Sequence, residues 1–392
     1  MIKLKNSKTR DANYLSRQMS VRIYADHAAT TKLDNNALNA MMPYLVEEYG
    51  NASQVYSFAR PIRKALQNAR ERIASQIGAL PEEIFFTSGG SESDNWAIKG
   101  TTIFEQSKSS IITSEIEHHA VLASCEMCRK MGADVRSVPV TKEGLVDSEI
   151  MKSIISDQTN LVSVMMANNE IGSIQPIRKL TQIAHAHGAI MHTDAVQAVG
   201  HIPVFVNELG IDLLSASAHK FNGPKGIGFL YVRRGTKLSP YINGGNQESR
   251  LRAGTENIAA IVGMAEALDI SCCEMENRSK HLLGLETLLL DSLNEYRLDY
   301  IRNGSSNHIP GNISISFKNA SGEMLLHRLD LMGIYVSTGS ACNSEVTELS
   351  HVIKAIRVPP EYAHGTIRIS LGYENTVEEV KTIAKAIKRI IG

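Results

Sequence analysis

From residue 35 to residue 263 the chain alternates amphipathic helical stretches, such as RPIRKALQNARERIASQIG and IRKLTQIAHAHG, with short apolar runs. Those runs are EIFFTSGG, SSIITSEI, NLVSVMMANNE, AIMHTDAVQAVG, DLLSASAHK and GIGFLYV. A helix buries one stripe and an interior parallel strand buries both faces, so the alternation predicts a mostly parallel sheet covered by helices. After a helical stretch around residues 256–296, strand-like NISISF and GTIRISLG flank the helix EMLLHRLDLMG, and TVEEVKTIAKAIKRIIG follows. This looser pattern predicts a second, smaller α+β unit. The expected organisation is a large α/β domain over 35–263, a smaller α+β domain formed by 22–34 with 264–392, and a flexible polar arm over 1–21.

Charge excludes some partners. The 41 basic and 41 acidic residues cancel, so no global field draws in nucleic acid or an anionic membrane surface. No stretch approaches the roughly 20 apolar residues that span a bilayer. The start MIKLKNSKTR lacks the apolar core of a secretory signal, so a cytoplasmic location is expected. Five cysteines in 392 residues form no disulfide framework. Cys125 and Cys128 have a CEMC spacing but no second pair at zinc-site spacing, and Cys272 and Cys273 adjoin in a helical stretch. All four are expected to be structural, and no metal site is expected.

Chemistry concentrates at the ends of the apolar runs. In SASAHKFNGPKGIGF an apolar strand leads into Ser217, His219 and Lys220, and another follows. A lysine buried there, rather than solvated, has the lowered pKa needed to form a Schiff base with an aldehyde. HTDAVQAVG places Asp194 and Gln197 at another strand end, where open α/β sheets gather ligands. Asp194 suits a helix cap, or a partner for a protonated pyridine nitrogen. In FFTSGGSESDN a strand, a glycine turn and a helix start set Gly90 and Ser91 where a single phosphate is bound well. His118 in EIEHHAV and Asn168 in ANNEIG close two further strands and are expected to face the same crevice. Beyond the large domain, VSTGSACNSEV sets Cys342 among small polar residues, either as a nucleophilic thiol or as an inert surface one. GTIRISLG buries Arg368, which needs an anion, either a substrate carboxylate or a structural ion-pair partner.

Taken together, YADHAATT, TSGGSESDN, EHHAV, NNEIG, HTDAVQ, SAHKFNGPKG, GGNQESRLRAGTEN and STGSACNS resemble, in content and order, the cysteine desulfurase family. These are fold type I pyridoxal-phosphate (PLP) enzymes, here of the class with a long cysteine loop. The likeness runs from Tyr24 to Gly372. It implies that Lys220 carries PLP and moves the substrate's α-proton, that His118 stacks over the pyridine ring, and that Asp194 pairs with the pyridine nitrogen. It implies that Gln197 contacts the phenolic oxygen and that Gly90, Ser91, Ser217 and His219 hold the phosphate. Thr255 would reach the phosphate of a neighbouring subunit in a homodimer with composite sites. Arg368 and Asn168 would hold L-cysteine. Cys342 would take its sulfur as a persulfide, release alanine, and pass the sulfur to an iron–sulfur scaffold or tRNA-thiolation enzyme.

The chain departs from the family pattern at Ala52, Tyr56 and Ala59, where proline, histidine and glycine are usual, and at Ser91, where threonine is more frequent. Ser91 keeps the hydroxyl; the other three bear on the shape of the site entrance. An aminotransferase or a selenocysteine lyase would use the same lysine, aspartate and arginine. Cys342 separates these readings, since an aminotransferase needs no cysteine and a selenocysteine lyase prefers selenium. A sulfur-carrier or assembly subunit without catalysis would not need Lys220, Asp194 and His118 intact.

Overall fold

The computed structural model describes residues 22–104, 109–338 and 349–392. The first strand, β1 (Ile23–Tyr24), belongs to the far end of the molecule, where it pairs in parallel with Ile334–Tyr335. The apolar runs of the large region form β2 (Ile84–Thr87), β3 (Ser110–Ser114), β5 (Thr159–Ser163), β6 (Ile190–Asp194), β7 (Leu213–Ser217) and β8 (Gly228–Val232). With β4 (Asp134–Val138) they make one seven-stranded sheet ordered β2-β8-β7-β6-β5-β3-β4. Only β8 runs against its neighbours. Strands β5 to β8 are buried or nearly so along their whole length, as expected for strands covered by helices on both faces. The edge strand β4 was not visible in the apolar pattern because Asp134, Arg136 and Ser137 are exposed, which an edge permits and an interior strand does not.

The helical stretch around 256–296 is two helices, Ile258–Cys273 and Met275–Glu295, broken at Glu274 (φ −91°, ψ 0°). The first is apolar around much of its surface and joins the core of the large sheet. The second places Leu282, Leu285, Leu289 and Leu293 in a separate core. That second core is built on β9 (Tyr300–Asn303), β10 (Asn312–Phe317), β11 (Ile334–Tyr335) and β12 (Thr366–Ser370), where β12-β10-β9 form an antiparallel sheet. Ile23 and Ala25 pack into it too. The next residues, 26–31, lead from this core to the large sheet: His27 N–H donates to Ser370 O at 3.1 Å and Thr31 N–H to His219 O at 3.0 Å.

Leu289 is fully buried in this second core. Leu289→Ala removes its contacts and leaves a cavity, at an expected cost of about 2–5 kcal/mol. Urea unfolding checks this; a loss under about 1 kcal/mol would contradict the packing described.

Candidate active site

Strands β3, β5, β6 and β7 run parallel, so their C-terminal ends and following turns open on one side. There a cavity of about 410 Å³ is lined by Gly90, Ser91, His118, Asp194, Gln197, Ser217, His219, Lys220 and Arg368. Nine residues spread over 279 positions of sequence thus share one wall, standing on or after five strands, and Ala28 and Ala29 of the segment 26–31 line it as well. Asn168 and Thr255 are not among the lining residues. Cys342 lies outside the described residues.

Each side chain has a local reason for its place. The turn before helix Gly90–Phe104 uses Gly89 at φ +148°, a conformation L side chains rarely adopt. A Cβ on Gly90 would come within 2.5 Å of Val196 Cγ2, so the first helical turn approaches the cavity only as glycine. Orphan N–H groups of a first turn favour an anion. His118 caps helix His119–Lys130, its Nδ1 accepting from Ala120 N–H at 3.1 Å. That bond assigns Nδ1 as the unprotonated nitrogen and leaves Nε2 to carry any proton. Burial, then the charges of Lys220 and His119, lower the His118 pKa, against the raising effect of Asp194.

Asp194 ends β6 and is 5% exposed. Its Oδ1 accepts from Val196 N–H at 2.9 Å. Burial raises its pKa, while His118, that backbone bond and Lys220 pull it back. Lys220 follows β7 in a short turn; its Nζ donates to the carbonyls of Ala28 at 2.6 Å and Ala29 at 2.7 Å. Gln197 Nε2 donates to the same Ala28 carbonyl at 2.9 Å. Burial, with Lys220 and Lys225, pushes His219 down to about 4. Arg368 lies in β12, pairs with Asp26 at 2.6 Å and donates from Nη1 to Asn169 O at 3.0 Å. Its buried Nε has no hydrogen-bond partner. The ion pair and an open donor therefore coexist on one guanidinium.

The structure corrects the expectation for Asn168. Its Oδ1 accepts from Glu170 N–H at 2.8 Å and Ile171 N–H at 3.0 Å, and its Nδ2 donates to Ile116 O at 2.9 Å. That side chain closes its own turn, as asparagine commonly does, and the neighbouring Asn169 lines the cavity instead. Sequence reasoning also missed three acids in the cavity wall: Asp94, Glu117 and Glu170. Burial pushes Glu117 up to about 8 and Glu170 up to about 7. Asp94, four residues after Gly90 on one helix face, and Glu117, beside His118, were within reach of spacing alone. Thr255 is exposed and does not line its own chain's cavity. Residues 52–59 do not line the cavity; Ala52 and Ala59 are buried.

Cys125 and Cys128 are buried, Cys125 and Cys128 packing with Trp96 in one apolar cluster. Burial pushes the Cys125 thiol up to about 12 and Cys272 up to about 11, which suits packing rather than nucleophilic attack. No helix among the described residues is long and apolar enough to cross a membrane.

The model of the aminotransferase class-V family matches residues 23–383. The chain is 48% identical over 375 residues to cysteine desulfurase IscS of Dictyoglomus turgidum, covering 95% of each protein. It is 44% identical over 370 residues to cysteine desulfurase IscS of Methanosarcina thermophila, covering 94% of this chain and 92% of that one. Among solved structures, a NifS-like protein superposes with a TM-score of 0.89 at 39% identity, covering 94% of this chain and 99% of that one.

Proposed function

The chain belongs to the aminotransferase class-V family and, within it, to the PLP-dependent cysteine desulfurases, and we propose that the cavity at the strand ends takes sulfur from L-cysteine and releases L-alanine. The observation that carries this reading is the convergence of Lys220, Asp194, His118 and Arg368 on one cavity of about 410 Å³.

The residues fit PLP. A phosphate needs a cradle of donors, supported by the glycine-only approach of Gly89 and Gly90 with Ser91, Ser217 and His219 around it. A pyridine nitrogen needs a buried carboxylate, which Asp194 supplies, and an aldehyde needs an amine, which Lys220 supplies. When bound, the cofactor acts as an electron sink for the substrate's Cα and Cβ.

In this reading His118 lies against the ring through a neutral imidazole and holds a proton at Nε2. Gln197 offers its amide to the phenolic oxygen. Lys220 Nζ moves the α-proton. Arg368, steadied by Asp26, binds the substrate carboxylate through the guanidinium edge that includes Nε, and Asn169 takes the substrate-side role expected of Asn168. Cys342 is the sulfur acceptor: its thiol sulfur bonds the substrate sulfur as the substrate's C–S bond breaks. The β-carbon is reduced to a methyl group and the sulfurs are oxidised to a persulfide, so the step balances without an external oxidant. Thr255, exposed and absent from the lining of its own cavity, suits contact with a second copy's phosphate site in a homodimer. The persulfide then passes to a protein acceptor in the cytoplasm, an iron–sulfur scaffold or a tRNA-thiolation enzyme.

The test uses the purified chain with L-cysteine and a thiol reductant. Alanine and sulfide are expected in equal amounts. Amino transfer to a keto acid without sulfide would overturn the reading.

A further inference from the structure

A second carboxyl stands beside Asp194 with no task in the reaction above. Asp94 lies one turn into helix Gly90–Phe104, is 1% exposed and lines the cavity. Its Oδ1 has no hydrogen-bond partner. Ligand atoms of Asp94, His118 and Asp194 all lie within 4.8 Å of one another. A basic side chain does approach Asp94: His192 Nε2 stands 3.7 Å from Oδ1. It supplies no counter-charge, however. His192 is fully buried, its ring nitrogens meet Ser163 Oγ at 2.8 Å and Ser215 Oγ at 3.0 Å, and burial pushes its pKa down to about 3.

The groups facing Asp94 are therefore Asp194 and His192 from β6, Ser215 from β7, and Glu117 and His118 from the turn before helix His119–Lys130. Two carboxyls this close in a buried site do not both ionise at ordinary pH; they behave as a pair that keeps one proton. The surroundings decide which acid keeps it. Asp194 has the Val196 N–H at 2.9 Å and the favourable charges of His118 and Lys220. Asp94 has only the Ser215 hydroxyl on the favourable side, against burial, Asp194 and Glu117.

We propose that Asp94 is a positioning residue that stays protonated and neutral, so that Asp194 is the single negative charge presented to the cofactor's ring nitrogen. This rests on the PLP reading of the cavity. An ionised Asp94 would place a second anion beside the first, raise the proton affinity of both acids and shift the charge balance at the ring.

The test exploits the proton itself. The unfolded chain releases the Asp94 proton near pH 4 while the folded chain keeps it, so this group's contribution to stability falls as pH rises above about 4, until the folded pKa is reached. Asparagine has the same shape and no proton to keep. On the full chain with its cofactor bound, Asp94→Asn is expected to melt higher than the parent, by a margin that widens as the pH is raised from about 5 to about 8. The pH midpoint of the bound cofactor's visible absorbance is expected to stay at the parent's value in Asp94→Asn and to move in Asp194→Asn. A margin that is negative, or flat with pH, overturns the proposal, and so does a midpoint moved by a full unit in Asp94→Asn. An Asp194→Asn chain with parental cofactor affinity and midpoint instead refutes the role given to Asp194, and the melting margin still decides the protonation of Asp94.

Discussion

A Lys220→Ala chain is expected to turn over L-cysteine about 10⁴-fold more slowly than the parent, the upper range of what one positioned proton-transfer group contributes. Lys220 is placed by three elements at once. Strand β7 delivers it, His201 Nε2 meets its carbonyl at 2.9 Å, and the carbonyls of Ala28 and Ala29 hold its Nζ inside the cavity. Among the described cavity residues no other lysine could stand in, and the remaining basic groups are histidines and Arg368. Water could replace the amine as a proton carrier but could not bond an aldehyde. A separate readout isolates that bond: borohydride should fix the cofactor's mass to the parent chain and not to the variant. Turnover within about tenfold of the parent, or cofactor mass still fixed to the variant, would show that another group does this work.

Cys342→Ala should lower alanine release by about 10³-fold or more, since loss of a covalent nucleophile can cost up to about 10⁶. The cofactor's visible absorbance, and its change when L-cysteine is added, should persist. Cys342 lies among residues 339–348, outside the described part of the chain, but both flanks of that segment are described and both lie at the cavity. Before it, Ser337 exchanges backbone bonds of 3.0 and 2.7 Å with Arg368, and Thr338 lines the cavity. After it, Ser350 Oγ donates to Glu170 at 2.6 Å and His351 Nε2 meets Glu117 O at 3.0 Å. The chain thus leaves from and returns to the wall that holds Arg368, which would bind the substrate's carboxylate. Parental alanine release from Cys342→Ala would move sulfur acceptance to another group and bring a lyase reading forward.

Much of the site was legible because its residues follow local rules. His118, Asp194 and Lys220 each stand just past or at the end of an apolar run, and a parallel sheet brings such ends together. The two adjacent asparagines of NNEIG were not separable this way. Their difference is a turn: Asn168 satisfies the backbone of residues 170 and 171, which rotates Asn169 toward the cavity. β4 escaped notice because an edge strand needs no continuous apolar run. The break at Glu274 escaped because both flanking segments are good helices, and only their burial in different cores separates them.

What the residues determined without coordinates was the order of the elements and the chemistry at their ends, since periodicity, glycine turns and caps act over a few positions. What only the tertiary structure decided was pairing and charge. Arg368 meets Asp26 across 342 positions of sequence. Asp94, an unremarked helix residue, becomes a second buried acid beside Asp194 when helix and sheet pack. The physical reason is that burial and the approach of other charges set a carboxyl's protonation, and both arise only when distant segments come into contact.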